Sequence, residues 1–570
     1  MNPSRARASV VGAFAVLCAY FTGFFPPFSN PNELSRLQTV VAFVESGTFA
    51  IDGELAALGD HEDKAASGGH FYSNKAPGLA FAAIPVYRLL RFFLPRPDSP
   101  TAPIFVLLRL LTVSLICVVA LARFGRRLAL RPEWVSVAPL VTFAVGFGTP
   151  FLYYARSFFG HAWAASLLFL AWDALSGDGA TAAARRSVLA AGLAGILAGW
   201  AAISEYTVAP AALALAARAA ARSPGGNRAG RLLAFVAGAA IPLGLLLAYQ
   251  AVCFGSPFVP SYAREAYPAY AELAHRRFLG FGPPSARVAL DYLFHPARGI
   301  LLFSPFFLWA GPGFARWLRS KRDRIDGVFV LGTAAVSFLL LTGYPNWHGG
   351  WSLGSRYLLP LVFLVAAALP FALGSPLSRG LFAGAVAFAA GWHALAALSW
   401  PNFPLDLSFP AANGSVWFLA HGWVAPSAGG SLGLAPAFSI AVGAVAAALA
   451  LFAAVSAARP LAPGAPAAIL IGLVPLGVLL LRPPALSYPA RLLRAAIYGD
   501  YSGRDPNHDE LRRVAERAST PAEHRQGERA LETVIRQRLR VRWSRRPSTG
   551  PRSGRPGSFR SSRRKRGGTP

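Results

Sequence analysis

Charge is what this chain has least of. Only 14% of its 570 residues are Asp, Glu, Lys or Arg, against about 25% in a water-soluble protein, so a string of soluble domains is excluded despite the length. Cysteine is nearly absent. Cys18, Cys117 and Cys253 all lie in apolar runs and none lies in a loop, which excludes a secreted disulfide framework and cysteine-based zinc or redox motifs. Lysine is scarce too: Lys64, Lys75, Lys321 and Lys565 stand beside 51 arginines and a single methionine, a bias of genome composition rather than of chemistry.

Apolar residues fill the space, at 54% of the chain with a mean hydropathy of +0.42. They recur as runs at 9–25, 76–94, 101–122, 134–152, 158–175, 188–203, 206–220, 232–253, 299–315, 327–343, 357–373, 380–399, 435–457 and 466–482. Runs of this length predict an all-α polytopic membrane protein, a bundle of about 12–14 transmembrane helices. Residues 1–485 form the transmembrane domain, with a first extracytoplasmic loop at 28–75. An amphipathic helical segment is expected at 486–541 and a disordered Arg-rich tail at 542–570. The first run follows Arg5 and Arg7 like a signal peptide, but no small-x-small site precedes Phe24-Phe25-Pro26-Pro27, so it counts as the first span.

The net charge of +29 is unevenly spread. From Arg491 to Pro570 there are 21 basic and 8 acidic residues, so a nucleic-acid reading of the whole chain is excluded, while the tail suits contact with anionic lipid. Elsewhere arginines collect in alternate loops, around Arg123–Arg131, Arg185–Arg186, Arg218–Arg231, Arg316–Arg324, Arg379 and Arg459. These loops are assigned to the cytoplasm. Parity then fails if both 76–94 and 101–122 cross, so 76–94, with Pro77, Pro85, Arg88 and Arg91, is expected to be re-entrant or interfacial. The other loops hold the unusual polar residues, which places the chemistry on the extracytoplasmic face.

Polar side chains at the mouth of a membrane bundle are functional candidates because they are costly there. Glu33 opens a stretch with Leu34, Leu37, Val40, Val41 and Val44 at helical spacing, expected to lie on the membrane surface. It suits a general base, or a capping box with Asn30 and Pro31. Arg36, one turn on, can contact a lipid phosphate or hold Glu33. His70 and Lys75 precede an apolar run at headgroup depth, where Lys75 suits a phosphate or a simple interfacial anchor. Asp60, His61, Glu62 and Asp63 form an acidic cluster that suits a divalent cation or is solvated loop charge. Arg156 and His161 sit between two spans. Glu205 interrupts an apolar hairpin and needs a partner or a wet cavity. Tyr344-Pro-Asn-Trp-His-Gly-Gly-Trp-Ser-Leu-Gly-Ser-Arg-Tyr357 is the strongest local signal: its glycines admit close approach, Trp347 and Trp351 offer flat faces for sugar rings, and His348 and Arg356 are donors.

The order of Asn32-Glu33 with Arg36, Lys75-Ala-Pro-Gly78, Tyr154 to His161, Phe254-Gly-Ser-Pro257, Ser304-Pro305 and Trp347 to Pro360 resembles bacterial multi-pass glycosyltransferases of the GT-C superfamily. That group is similar to protein O-mannosyltransferases and the lipid A aminoarabinose transferase, and the resemblance covers about residues 20–400. It implies a GT-C-like bundle in the bacterial inner membrane and a polyprenyl-phosphate sugar donor. The sugar would pass to a lipid, glycan or protein acceptor by inverting displacement. It also implies that Glu33 is the catalytic carboxylate and that Lys75 lies on the phosphate side; from the residue pattern His161, a base or a hydrogen-bonded interfacial histidine, and Glu205 are further catalytic candidates. Arg36, His70, Arg156, Trp347, His348 and Arg356 are the other expected substrate contacts. This chain departs from the family pattern in having Asn32-Glu33 where a paired acidic motif stands, His161 where many relatives carry Asp, and Ala76 after the lysine. The competing reading is a transporter or flippase of a lipid-linked substrate. It calls for internal repeat symmetry and mid-span charge pairs, and the polar residues instead gather at span ends.

Overall fold

The computed structural model describes residues 1–22, 30–176, 184–221, 227–275, 280–399, 402–405, 407–420, 423–458 and a few positions between 473 and 494. Of the expected span at 466–482 only 473–475 and 477–479 are described, as helix, and the other positions lie outside. So do the expected amphipathic segment, save Leu486 and Arg494, and the whole tail from 542.

The chain is a predominantly helical polytopic membrane protein. Among the described residues six helices are long and apolar enough to cross a bilayer: Pro103–Ala129, Ser187–Ser204, Arg228–Phe254, Arg324–Thr342, Pro376–Leu398 and Pro436–Ala457. The remaining described runs form shorter or broken helices, and proline accounts for several of the breaks because it removes a donor and clashes with the preceding turn. The 134–152 run gives Ala138–Phe147, which stops before Thr149-Pro150. The 299–315 run splits at Ser304-Pro305, and the 357–373 run splits around Pro360. Side chains satisfy the freed carbonyls, as where Ser304 Oγ donates to Gly148 O at 2.6 Å, which is how irregular backbone is tolerated at membrane depth.

Helix α1 (Pro3–Tyr20) starts on an Asn2 cap with proline in its first turn. Helix α2 (Pro31–Ser46) is capped by Asn30, whose side chain accepts from Asn32 N, and ends at Gly47 with φ +68°. It does not lie on a surface: every residue from Asn32 to Ala42 is buried. Leu34, Leu37, Val40 and Val41 join the main core. The opposite face carries short polar side chains that bind loop backbone instead of water. Ser35 Oγ donates to Asp63 O at 2.7 Å, and Gln38 Nε2 donates to Gly59 O at 2.8 Å.

After α3 (Asp52–Leu58), strands β1 (Lys64–Ser67) and β2 (His70–Ser73) form an antiparallel hairpin. Its two-residue turn is Gly68-Gly69, both at positive φ. Glu265, from the long segment after the 228–254 helix, bridges to Ala65 at the hairpin's side. Helix α4 (Gly78–Leu90) has 13 residues, about 20 Å, too short for a hydrocarbon core of about 30 Å. Exposed Leu89, Phe92 and Phe93 follow, suited to lying in lipid. With α4 not crossing, α1 and the 103–129 helix bring Arg5, Arg7 and the Arg123–Arg131 loop to one end, and the parity conflict disappears.

Candidate functional site

The site is assembled where two irregular joints meet the start of α2. The first joint is Glu205, in extended conformation (φ −147°) between the 184–204 helix and a short turn at Tyr206–Val208. Its Oε1 lies 3.0 Å from Arg36 Nη2 and 3.3 Å from His161 Nδ1. A side chain at Gly160 would put a Cβ 2.3 Å from that oxygen, so glycine there is what lets the helix carrying His161 reach the carboxylate. Arg36 is itself fixed by Asn32, one turn back, whose backbone and side-chain oxygens both accept from Nη1. His161 is buried, edge-on to Tyr357 and Tyr154 at centroid distances of 5.5 and 6.0 Å. Neither ring nitrogen has a hydrogen-bond partner among the described residues: the approach to Glu205 is close but off line.

The second joint is the turn 344–356. Arg356 is 8% exposed and makes no ion pair among the described residues. Its guanidinium lies 5.3 Å from the Tyr357 ring centre and 5.5 Å from that of Phe159. Gly349, at φ +68°, leaves no room for a side chain, since a Cβ would sit 2.5 Å from Arg356 Nε. Lys75 Nζ is 2.9 Å from Asp63 Oδ1. Beyond Lys75, Asn74 Nδ2 donates to Glu265 Oε2 at 2.8 Å.

Electrostatics tie these groups together. Burial pushes the Glu205 carboxyl above the usual range, against the opposing pull of Arg36, Arg356 and Lys75. Burial also pushes Glu265 up to about 7, opposed by Lys75 and the Asn74 hydrogen bond. For Asp63 the balance reverses: burial raises it, but the charge and hydrogen bond of Lys75 outweigh burial and hold it below its ordinary value.

Of the residues singled out in the sequence, Arg36, Lys75, His161, Glu205 and Arg356 therefore come together. Glu33 is buried beside them but turned elsewhere. Burial raises its carboxyl, and the strongest opposing influences are Arg109, the Phe158 backbone N–H, Arg36 and Arg156. The side chain thus leaves the first turn of α2 toward Phe158 instead of closing a capping box, and the carboxylate that acts electrostatically on Arg356 is Glu205. Arg156 donates to Ala397 O and lies over Phe21 at 5.3 Å, a packing role beside Glu33. His70 is on the outer strand of the hairpin, exposed and 3.2 Å from Asp52 Oδ2. Trp347 packs against Tyr292 and His295, and His348 Nδ1 accepts from Gly350 N at 3.0 Å; both shape the turn.

The acidic cluster at 60–63 is neither solvated as a unit nor convergent. Asp60 pairs with Lys64, His61 Nε2 meets Gln38 Oε1 at 2.7 Å, and Asp63 belongs to Lys75. These side chains do not fit a divalent cation, and among the described residues no group of three or more His, Cys, Asp or Glu gathers in a way that suits a metal. Two participants escaped the sequence reading: Glu265, a lone acid in the tyrosine-rich stretch 261–270 that could have marked it, and Arg298.

Arg298 stands at the head of a cavity of about 290 Å³. Thr149, Ile300, Phe303, Phe338, Leu358 and Val362 make most of its wall apolar, and Gly354 and Ser355, which immediately precede Arg356, also line it. Ser304 and His393, 3.1 Å apart, are polar groups on that wall.

No protein-family model matches the chain, and no curated protein matches it. Among solved structures it is similar to ArnT from Cupriavidus metallidurans in the apo state, with 14% identity over 78% of this chain and 76% of that chain and a TM-score of 0.42. It is similar to the same protein bound to undecaprenyl phosphate, with 14% identity over 91% of this chain and 88% of that chain and a TM-score of 0.44. It is also similar to the oligosaccharyltransferase of Archaeoglobus fulgidus in the apo form, with 13% identity over 97% of this chain and 62% of that chain and a TM-score of 0.36. At such identities the functional reading rests on the chain's own side chains.

Proposed function

We propose that the protein is a membrane glycosyltransferase that moves a sugar from a polyprenyl-phosphate donor to an acceptor hydroxyl at the extracytoplasmic face of the bacterial inner membrane. One observation carries this reading: a buried guanidinium with no carboxylate partner among the described residues, Arg356, directly follows Gly354 and Ser355, which line an apolar cavity, and acts electrostatically on the buried carboxylate Glu205. An amphiphile with an anionic head and a hydrocarbon tail matches both halves, because a buried cation without a counter-charge carries a free-energy cost that a bound anion offsets and an apolar void gains from an apolar occupant.

The donor phosphate lies against Arg356 and Lys75 and the first part of the prenyl chain enters the cavity. Glu205, its carboxyl raised toward a value useful for a base, takes the proton of the acceptor hydroxyl. The hydroxyl oxygen forms a bond to the anomeric carbon from the face opposite the phosphate. The carbon–oxygen bond to phosphate breaks, its electron pair leaves on the phosphate, and the configuration inverts. Arg356 and Lys75 stabilise that departing charge where water is largely excluded. Arg36 holds Glu205 in place, and the free ring nitrogens of His161 are positioned for a sugar hydroxyl. Glu33 acts from behind Arg36 by charge.

The test is incubation of the purified full chain in lipid with a panel of radiolabelled polyprenyl-phosphate sugars and a membrane extract as acceptor. Label should move from the prenyl phosphate to a new product with wild type and not with E205Q. Transfer by E205Q at the wild-type rate overturns the role of Glu205, and no transfer from any prenyl-phosphate sugar overturns the reading as a whole.

A further inference from the structure

We propose that Arg298 is the positioning residue for Arg356: it fixes the turn that delivers the phosphate-binding guanidinium. The role rests on the reading of Arg356 given above, and nothing in the sequence pattern pointed to it.

Arg298 is fully buried and makes no ion pair among the described residues. A guanidinium in that state must be satisfied by dipoles, and the dipoles it uses come from separate segments. Nη1 donates to its own neighbour Ala297 O at 3.0 Å, and Nη2 donates to Gly350 O at 3.1 Å and to Phe403 O. Its backbone carbonyl accepts from Ser355 Oγ at 2.8 Å. Arg298 thus grips the 349–355 turn at both ends, at Gly350 on one side and at Ser355 on the other.

Between these two anchors the turn has little freedom to choose where Arg356 goes. Gly349 is pressed against Arg356 Nε, Tyr154 OH donates to Leu353 O at 3.0 Å, and Leu353 N donates back to Tyr154 OH at 3.1 Å. The two guanidinium groups also repel. Arg356 approaches Arg298 because the hydrogen bonds hold the backbone between them, and a bound anion relieves the repulsion. The planar guanidinium fixes the directions of the bonds to Ala297 O, Gly350 O and Phe403 O. Lysine keeps the charge and loses the geometry.

The test compares wild type, R298K, S355A, R356A and the double variant R298K/R356A, each as full chain in lipid. For prenyl-phosphate sugar transfer, R298K should lower kcat/KM by roughly 10- to 100-fold, the scale of a misplaced binding group. S355A, which removes one anchor without touching a charge, should lower it by about 2- to 5-fold, a single neutral hydrogen bond. The deciding comparison is the double variant. If Arg298 acts through Arg356, adding R298K to R356A costs no further activity, whereas equal losses in both backgrounds overturn the proposal. Should R298K fail to fold, S355A and S355A/R356A make the same comparison. Amide hydrogen exchange reads the turn without any substrate: residues 346–356 should exchange faster in R298K or S355A with the rest of the chain unchanged. Unaltered exchange there overturns the proposal. A wild type that transfers no prenyl-phosphate sugar defeats the functional reading instead, and the exchange result still decides whether Arg298 positions the turn.

Discussion

The two ends of the bundle hold arginines in different ways. At the basic end several guanidinium groups meet carboxylates: Arg123 and Asp173 are 2.6 Å apart, Arg218 and Asp326 are 3.0 Å apart, and Arg131 is clasped to Asp323. At the other end Arg36 has Glu205 and Lys75 has Asp63, but among the described residues Arg356 has no carboxylate and His161 has two buried nitrogens without a hydrogen-bond partner. Paired charge fastens helices. Buried charge left without a counter-charge costs free energy, and the fold bears that cost at the one end where a cavity stands ready for an occupant.

Four measurements sharpen or break this contrast. The largest effect is expected for E205Q, which should lower kcat per folded molecule by about 10² to 10⁴ and, because it leaves the buried Arg36 without its carboxylate, also lower the melting temperature, measured by single-turnover label transfer and differential scanning. Next is D173N at the opposite end, which leaves Arg123 and Arg127 without their carboxylate. It should destabilise by about 1 kcal/mol, because Arg123 is half exposed and water screens the pair. Activity per folded molecule should not change. If D173N abolished transfer in folded protein, the division between a fastening end and a working end would be wrong.

Third is a pH effect on stability. Folding raises Glu265 to about 7 from an unfolded value near ~4.3, so the folded chain binds the extra proton between those limits. Its contribution is therefore fully present below pH ~4.3 and is lost as pH rises toward 7. Thermal unfolding of E265Q should be flatter than wild type across that window, and parallel curves would show that Glu265 does not titrate there. The smallest effect is expected for H70A on the exposed hairpin, within about 2-fold of wild type in transfer rate. A large loss would extend the site outward past β2.

Much of this was legible in the sequence, for identifiable reasons. Residues that violate their surroundings announce themselves: Glu205 is a lone acid in an apolar hairpin, Arg356 ends a glycine-rich turn, and the prolines and arginines of 76–94 argued against a crossing helix. What stayed hidden depends on contacts far apart in the chain. Lys75 and Asp63 read separately as a phosphate anchor and a cation ligand, and only the folded hairpin brings them within 2.9 Å of each other. The burial of α2 was hidden because Ser35 and Gln38 look solvent-facing until the loop that accepts from them is in place. Glu33 and Arg36 share a helix face, yet Arg36 turns back to Asn32 and across to Glu205, 169 residues away in sequence. Helical spacing alone cannot foresee that choice of partner.

The most direct measurement is equilibrium binding of a polyprenyl phosphate, without sugar, to purified wild type and R356A in lipid nanodiscs. Saturable binding by wild type, weakened about 10-fold or more in R356A, is the predicted result, consistent with about 1.4 kcal/mol or more from one charge-assisted phosphate contact. Equal affinity in the two proteins would contradict the assignment of Arg356 to the donor phosphate.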